Sequence, residues 1–471
     1  MVNKENIPKV EKQVTFLIVP FAFRAEYENT DRLIDHSNFE EKTPVSERLY
    51  DHVQNLISPQ GRKYEAIGRR FVLKDEVRTK WNLPNRKDTF LTYQYSKQSF
   101  SFSIESIELY VFETQVGFVL FKIGHPKFSS IEQMIETNYH IKRLGKLRNT
   151  KVFYDKKTGK DTLLEQEIHL NDLIDSFLSN LEVDTYFEGD DTHVKQSLVF
   201  SAAFLNQPGL EESSVTAWLF RMQRAFKDSY KPVKEMENRR DLFIPFDNSY
   251  WGVSLEGMAN IVTKTNDTTA DQFFGTDYFY RLENTYLFMY ILALHQRYAL
   301  LYFSKQISLL PYQLNQIEDQ LEKQNELITK FRKNIVNFML KCSYNQVSNV
   351  THQSELYEMI RTNLKIEYLF TEINDELYSL SSLMEIIEQK KLQLLEEKKR
   401  EKSDKMTKGI GLLSFVYLPL TIIPGLYTMI LPFITENTLN WILAVLITLL
   451  SFVPTFYLLK KYIWVRLKND G

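Results

Sequence analysis

The chain of 471 residues carries one cysteine, Cys342. A single thiol excludes an internal disulfide framework and any multi-cysteine metal site, and it suits a reducing compartment as a buried, inert group. Catalytic signatures are missing too. There is no G-x-x-x-x-G-K-[ST], G-x-G-x-x-G, H-E-x-x-H or G-x-S-x-G, and the eight histidines show no metal-ligand spacing. No residue nominates itself as catalytic, and the expectation is that the protein is not an enzyme. Charge of one sign is also lacking: a net charge of -2 argues against direct nucleic-acid binding as the main task. The N-terminal MVNKENIPKVEKQ is polar where a secretory signal needs an apolar stretch, so the part of the chain before Gly409 is expected to be cytoplasmic.

Glycine and proline vanish from Tyr312 to Lys408, a stretch rich in Leu, Ile, Glu, Lys and Gln, which predicts long helices. Leu314, Ile317, Leu321, Ile328, Phe331, Ile335 and Phe338 keep a 3,4 spacing, repeated by Ile366, Leu369, Ile373, Leu380, Leu383, Ile387 and Leu394. Such stripes are seams of packed or coiled helices. A turn is expected in the polar stretch Ser343 to Ser354, giving an antiparallel pair.

Charge itself is absent from Gly409 to Phe433 and again from Leu439 to Leu459. At about 1.5 Å per residue these runs reach roughly 37 and 32 Å, enough for a hydrocarbon core of about 30 Å, and predict two transmembrane helices. Basic residues flank the pair, from Lys398 to Lys408 and from Lys460 to Lys468, whereas the loop between carries only Glu436. The positive-inside tendency then places both termini in the cytoplasm of a multi-pass inner-membrane protein.

The chain as a whole is 44% apolar and 14% aromatic, ample for a folded core. Val14 to Phe23 reads as a buried strand, Phe100 to Ile123 as a hairpin about Gln115-Val116-Gly117, and Val152 to Lys160 as a strand entering a turn. Thr285 to Phe303 is apolar enough to suggest a third span, but His295, Gln296 and Arg297 in its middle predict a buried helix of the body. The expected fold class is an α+β cytoplasmic domain, 1–272, followed by long stalk helices, 273–408, the two transmembrane helices, 409–433 and 439–459, and a basic tail, 460–471.

Three segments are candidates for ligand binding. The basic cluster containing Arg143, Lys146 and Arg148 suits a phosphate-bearing ligand, or equally a solvated helix face and turn. Arg221 and Arg224 belong to a second basic stretch, Trp218 to Lys234, with the same two readings. Trp251, within Tyr250 to Gly257, belongs to a ligand loop or to a turn packed on its own ring.

The first apolar run contains Leu418-Pro419-Leu420-Thr421 and then Gly425-Leu426-Tyr427-Thr428-Met429-Ile430. This resembles the first transmembrane helix of the CorA family of divalent-cation channels, as does the order of body, stalk, two spans and basic tail. The resemblance covers the chain from Thr285 onward. It implies a homo-oligomer, by family precedent a pentamer, with Thr407, Ile410, Leu418, Thr421 and Ile430 lining a pore. Thr428, Met429 and Ile430 stand where the family has Gly-Met-Asn. Rings of isoleucine cannot meet a hydrated magnesium ion, which leaves Glu436 and Asn437 as the polar groups at the mouth. A lost signature and an enlarged body also resemble the CorA-like effectors that accompany type III CRISPR systems. That likeness implies gating by a nucleotide second messenger, an S-adenosylmethionine–AMP conjugate (SAM-AMP), in antiviral defence. The alternative implied by the family is a magnesium or other divalent metal-ion transporter. No cofactor is certain; Mg2+ and a nucleotide-type ligand are the two candidates.

Overall fold

The structure is a computed structural model. It describes residues 7–25, 27, 34–57, 66–84, 90–95, 98–127, 129–144, 152–157, 163–190, 192–226, 240–317, 320–342, 344–430 and six isolated positions between 442 and 460. The chain forms two compact units, Met1–Ser381 and Ser382–Gly471.

The first unit is built on a mixed sheet. Its strands are β1 (Val10–Phe23), β2 (Phe39–Glu41), β3 (Gly68–Leu73), β4 (Leu91–Tyr95), β5 (Gln98–Phe112), β6 (Val116–Gly124), β7 (Val152–Lys157), β8 (Leu163–Ile168), β9 (Val183–Tyr186), β10 (Leu198–Pro208), β11 (Leu242–Phe246), β12 (Ser249–Val253) and β13 (Gly257–Lys264). They run in the order β11-β12-β13-β10-β1-β6-β5-β4-β7-β8, with β3 pairing β2 and β5, and β9 pairing β1. The named pairs are antiparallel except β10 with β13.

β1 explains its own sequence. Val14, Phe16 and Ile18 enter one core, while Leu17, Val19, Phe21 and Phe23 enter another on the opposite face. Alternate side chains point to opposite faces, so a strand covered on both sides reads as an unbroken apolar run. The expected hairpin is β5 and β6, registered through Val111 and Gly117, and its turn is closed by Gln115 in the left-handed region with φ 62°.

On one face of the sheet lie helices α1 (Ile131–Ile141), α2 (Leu170–Leu178) and α3 (Glu212–Arg224). Ile135, Trp218, Leu219 and Met222 pack there with Ala203, Leu205 and Ile261 of the strands. After α4 (Thr268–Gly275), the other face is covered by α5 (Leu287–Gln316). The polar triplet of α5 is paired inside the protein. His295 is fully buried, its ring stacked on Phe112 at 3.9 Å and its Nε2 2.9 Å from the Thr114 hydroxyl. Gln296 Nε2 donates to the Cys342 carbonyl, and Arg297 Nη1 donates to that of Leu364. Burial pushes the His295 pKa down to about 3, so the imidazole is neutral.

The helical region has more breaks than the stripes predict. The chain leaves helix at Ile317, re-enters as α6 (Leu321–Cys342), forms α7 (Thr351–Asn363), and turns at Lys365, φ 58°, into α8 (Ile366–Ile430). The seam itself is real: Ile328, Ile335, Phe338, Ile366, Ile373 and Leu380 are all buried.

The two transmembrane helices are corrected. Among the described residues no helix is long and apolar enough to cross a membrane. α8 carries charge along its length up to Lys408. The run 439–459 lies outside the described residues except at five isolated positions, and Glu436 and Asn437 lie outside them entirely. What stands is a mixed α/β sheet domain with C-terminal helices. The transmembrane part of the expected fold class, and with it the expected multi-pass inner-membrane protein, conflicts with this finding.

Candidate functional site

A cavity of about 490 Å³ opens where β6 ends, β5 begins and α1 starts. The local sequence builds it. β6 stops at Gly124, and His125-Pro126 turn the chain, held by Ser129, whose N–H and hydroxyl both donate to the Pro126 carbonyl, at 3.2 and 2.8 Å. Ser130 then caps α1 in a reciprocal box with Gln133. The Gln133 N–H donates to Ser130 Oγ at 3.2 Å, and the Ser130 N–H donates to Gln133 Oε1 at 3.0 Å.

Hydroxyls dominate the wall: Ser99 and Ser101 from β5, Ser129 from the turn and Thr137 from α1. Phe100 adds an aromatic ring stacked on His140 at 4.3 Å. Lys127 and Glu136 are the charged members, one of each sign. His125 is 9% exposed and lines the cavity, and its Nε2 is buried with no hydrogen-bond partner. Burial lowers its pKa to about 4, opposed by the neighbouring Asn138 carboxamide. Asn138 is fully buried, and neither its oxygen nor its nitrogen makes a well-formed hydrogen bond. A buried polar atom without a partner normally costs about 1–3 kcal/mol, a cost that a bound group or ordered water at the His125 Nε2 would relieve.

Arg143, Arg221 and Arg224 do not line this cavity. Both Nη atoms of Arg221 engage the Glu132 carboxylate, at 2.9 and 2.7 Å, and Trp218 Nε1 donates to the same carboxylate at 2.8 Å. Arg224 pairs with Asp241 at 3.1 Å and lies over the Phe220 ring at 4.0 Å. Arg143 Nη1 donates to the Tyr139 hydroxyl at 2.8 Å. These contacts tie α1, α3 and the residue that leads into β11 together, which is a structural use of the charges. Trp251 is 1% exposed, packed against Tyr286 at 5.0 Å, and belongs to the core. Lys146 and Arg148 lie outside the described residues. In α8, Thr407 and Ile410 are exposed, while the side chains of Leu418, Thr421, Thr428, Met429 and Ile430 lie outside the described set.

Sequence reasoning missed His125, Ser99, Ser101 and Thr137. The available signal was a Gly-His-Pro turn directly after an apolar strand, which marks an element boundary without saying what gathers around it. Among the described residues no group of three or more His, Cys, Asp or Glu could hold a metal ion.

The α1–α3 ion pair gives a direct check on the structural reading of Arg221. Arg221→Ala should lower stability by about 1–3 kcal/mol, because the partly buried Glu132 loses its bidentate partner. In a double-mutant cycle with Glu132→Ala, measured by urea unfolding, the two effects should fail to add. Additive losses would return Arg221 to the list of ligand groups.

No protein-family model, curated protein or solved structure matches the chain.

Proposed function

We propose that the chain is a ligand-responsive effector whose α/β domain binds a small polar organic molecule in the His125 cavity. The observation that carries this reading is a cavity of about 490 Å³, within the range of small-ligand sites, into whose wall a buried and unpartnered imidazole nitrogen is built. The sequence resemblance to messenger-gated proteins supports a nucleotide-sized ligand. The metal-regulated alternative would need clustered acidic ligands, and none is found among the described residues of one copy.

The active form is proposed to be a homo-oligomer. Beyond the first unit, α8 exposes Leu392 at 60% and Leu395 at 48%, three residues apart on one helical face that a second copy would cover. α8 runs from Ile366 in the first unit to Ile430 in the second, so it is the element through which a ligand's differential affinity for two states would be expressed.

Titration calorimetry on the full chain with a panel of nucleosides and nucleotides tests the site. A binder should be found at micromolar affinity, and Ser101→Trp, which fills the cavity from β5, should abolish binding while leaving the melting temperature within a few degrees. Undiminished binding by the filled variant would refute the assignment, as would a panel in which nothing binds.

A further inference from the structure

The chemistry of the cavity wall narrows what it can take. Helix N-termini favour anions because their first N–H groups are unpaired, yet here two of those groups are already taken. The Gln133 N–H is taken by Ser130 Oγ, and the Ile131 N–H donates to the Pro8 carbonyl at 3.2 Å. The basic side chain at the wall is Lys127, which is exposed and balanced by Glu136. The deep polar groups are uncharged: the His125 Nε2 and the hydroxyl-bearing Thr137, 5% exposed.

We infer that the inner wall of this cavity, at His125 and Thr137, receives an uncharged hydroxyl- or carbonyl-bearing group, and that any phosphate on the ligand stays at the mouth beside Lys127. This inference rests on the cavity being the ligand site. The physical reason is the asymmetry of burial. A neutral donor or acceptor can satisfy His125 Nε2 at the cost of a hydrogen bond exchanged with water, whereas a phosphate pushed to the same depth would lose its hydration with no cation to replace it. The lowered basicity of His125 points the same way, since the ring cannot supply that cation near neutral pH. An exposed lysine contributes little to an anion held in solvent, about 0–1 kcal/mol, or at most about fivefold in affinity.

The test uses the full chain with the four ribonucleosides, their 5′-monophosphates, D-ribose and inorganic phosphate. The nucleoside that binds best should bind within about fivefold of its own monophosphate, and inorganic phosphate at millimolar concentration should not displace it. Competition by D-ribose would assign the buried group to the sugar, and its absence would assign it to the base carbonyl or amino edge. His125→Gln, which keeps an uncharged donor and acceptor, should stay within about fivefold of the native chain. His125→Leu should lose about thirtyfold, because the ligand's polar group is then buried without a partner. Displacement by inorganic phosphate, or a monophosphate preferred by more than about a hundredfold, would overturn the inference while leaving the cavity as the site. Absence of binding by every member of the panel would instead refute the site itself.

Discussion

Gly257→Ala should destabilise the protein by about 3 kcal/mol or more, enough to remove much of the folded chain from the soluble fraction. A methyl group at Gly257 would land on the backbone carbonyl of Val199 across the parallel β10–β13 pair, and close to the Gln223 carbonyl at the end of α3. Neither oxygen can yield. Val199 donates its N–H to the Glu256 carbonyl at 3.2 Å, and the Gln223 carbonyl accepts from the Ser254 hydroxyl at 3.1 Å. Overpacking of this kind costs about 1–3 kcal/mol when side chains can move, and more when the obstacle is backbone. Gly252 is nearly as constrained, since its methyl would meet the Gln223 side chain, which is fully buried and hydrogen bonded to Asp241 at 2.7 Å. Leu255, in the same turn and 42% exposed, is the control. Urea denaturation of Gly257→Ala, Gly252→Ala and Leu255→Ala should give large, intermediate and near-zero losses in that order. A stable Gly257→Ala protein would show that β10 and β13 do not approach as described.

Stability should also fall on acidification well before the carboxylates titrate. His295 is held neutral in the core, its pKa lowered to about 3 by burial, and His125 is lowered to about 4 by the same cause. In the unfolded chain both return to about 6.5. Between the folded and unfolded values the unfolded state binds more protons, so stability rises with pH across that window. It is fully present above about pH 7 and is lost as pH falls through 6.5 toward 4. From pH 7.5 to pH 5 each histidine accounts for about 2 kcal/mol, because one unit of pKa difference corresponds to about 1.4 kcal/mol. Thermal melts at pH 7.5, 6 and 5 should show a falling melting temperature. His295→Gln should flatten about half of that slope, even if it lowers stability at neutral pH by disturbing the stack on Phe112. A slope unchanged by the substitution would place the acid sensitivity elsewhere.

The two arguments draw on segments that read very differently in sequence. The polar triplet His295-Gln296-Arg297 predicts a helix of the body, and the reason is local: a charged group in the middle of an apolar helix needs protein partners, and Leu364 and Cys342 provide carbonyls. The Tyr250 to Gly257 segment leaves two readings open, because a glycine pair beside tryptophan serves a ligand loop or a packed turn equally well. Only the position of Gln223, 29 residues before Gly252, decides for the packed turn.

Two of the basic candidates are paired inside the protein for a related reason. Arg221 and Arg224 lie on α3 at helical spacing, and their charge is plain in sequence, but Glu132 and Asp241 that neutralise them come from α1 and from the residue before β11. A cluster of like charge in one segment says nothing about the opposite charges that folding brings to it. The long apolar runs near the C-terminus illustrate the converse. Their composition predicts spans, whereas among the described residues no helix meets the length and apolarity required.

The sequence by itself determined the elements whose evidence is periodic: the doubly buried β1, the β5–β6 hairpin, the buried α5 and the seam from Ile328 to Leu380. These follow from side-chain direction along a strand or helix, a property of neighbouring residues alone. Tertiary structure decided the strand order, the ion pairs that engaged Arg221 and Arg224, the break at Ile317 and the gathering of His125, Ser101 and Thr137 around one cavity. Each of those depends on partners distant in the chain, and no local pattern of polarity encodes which distant group arrives.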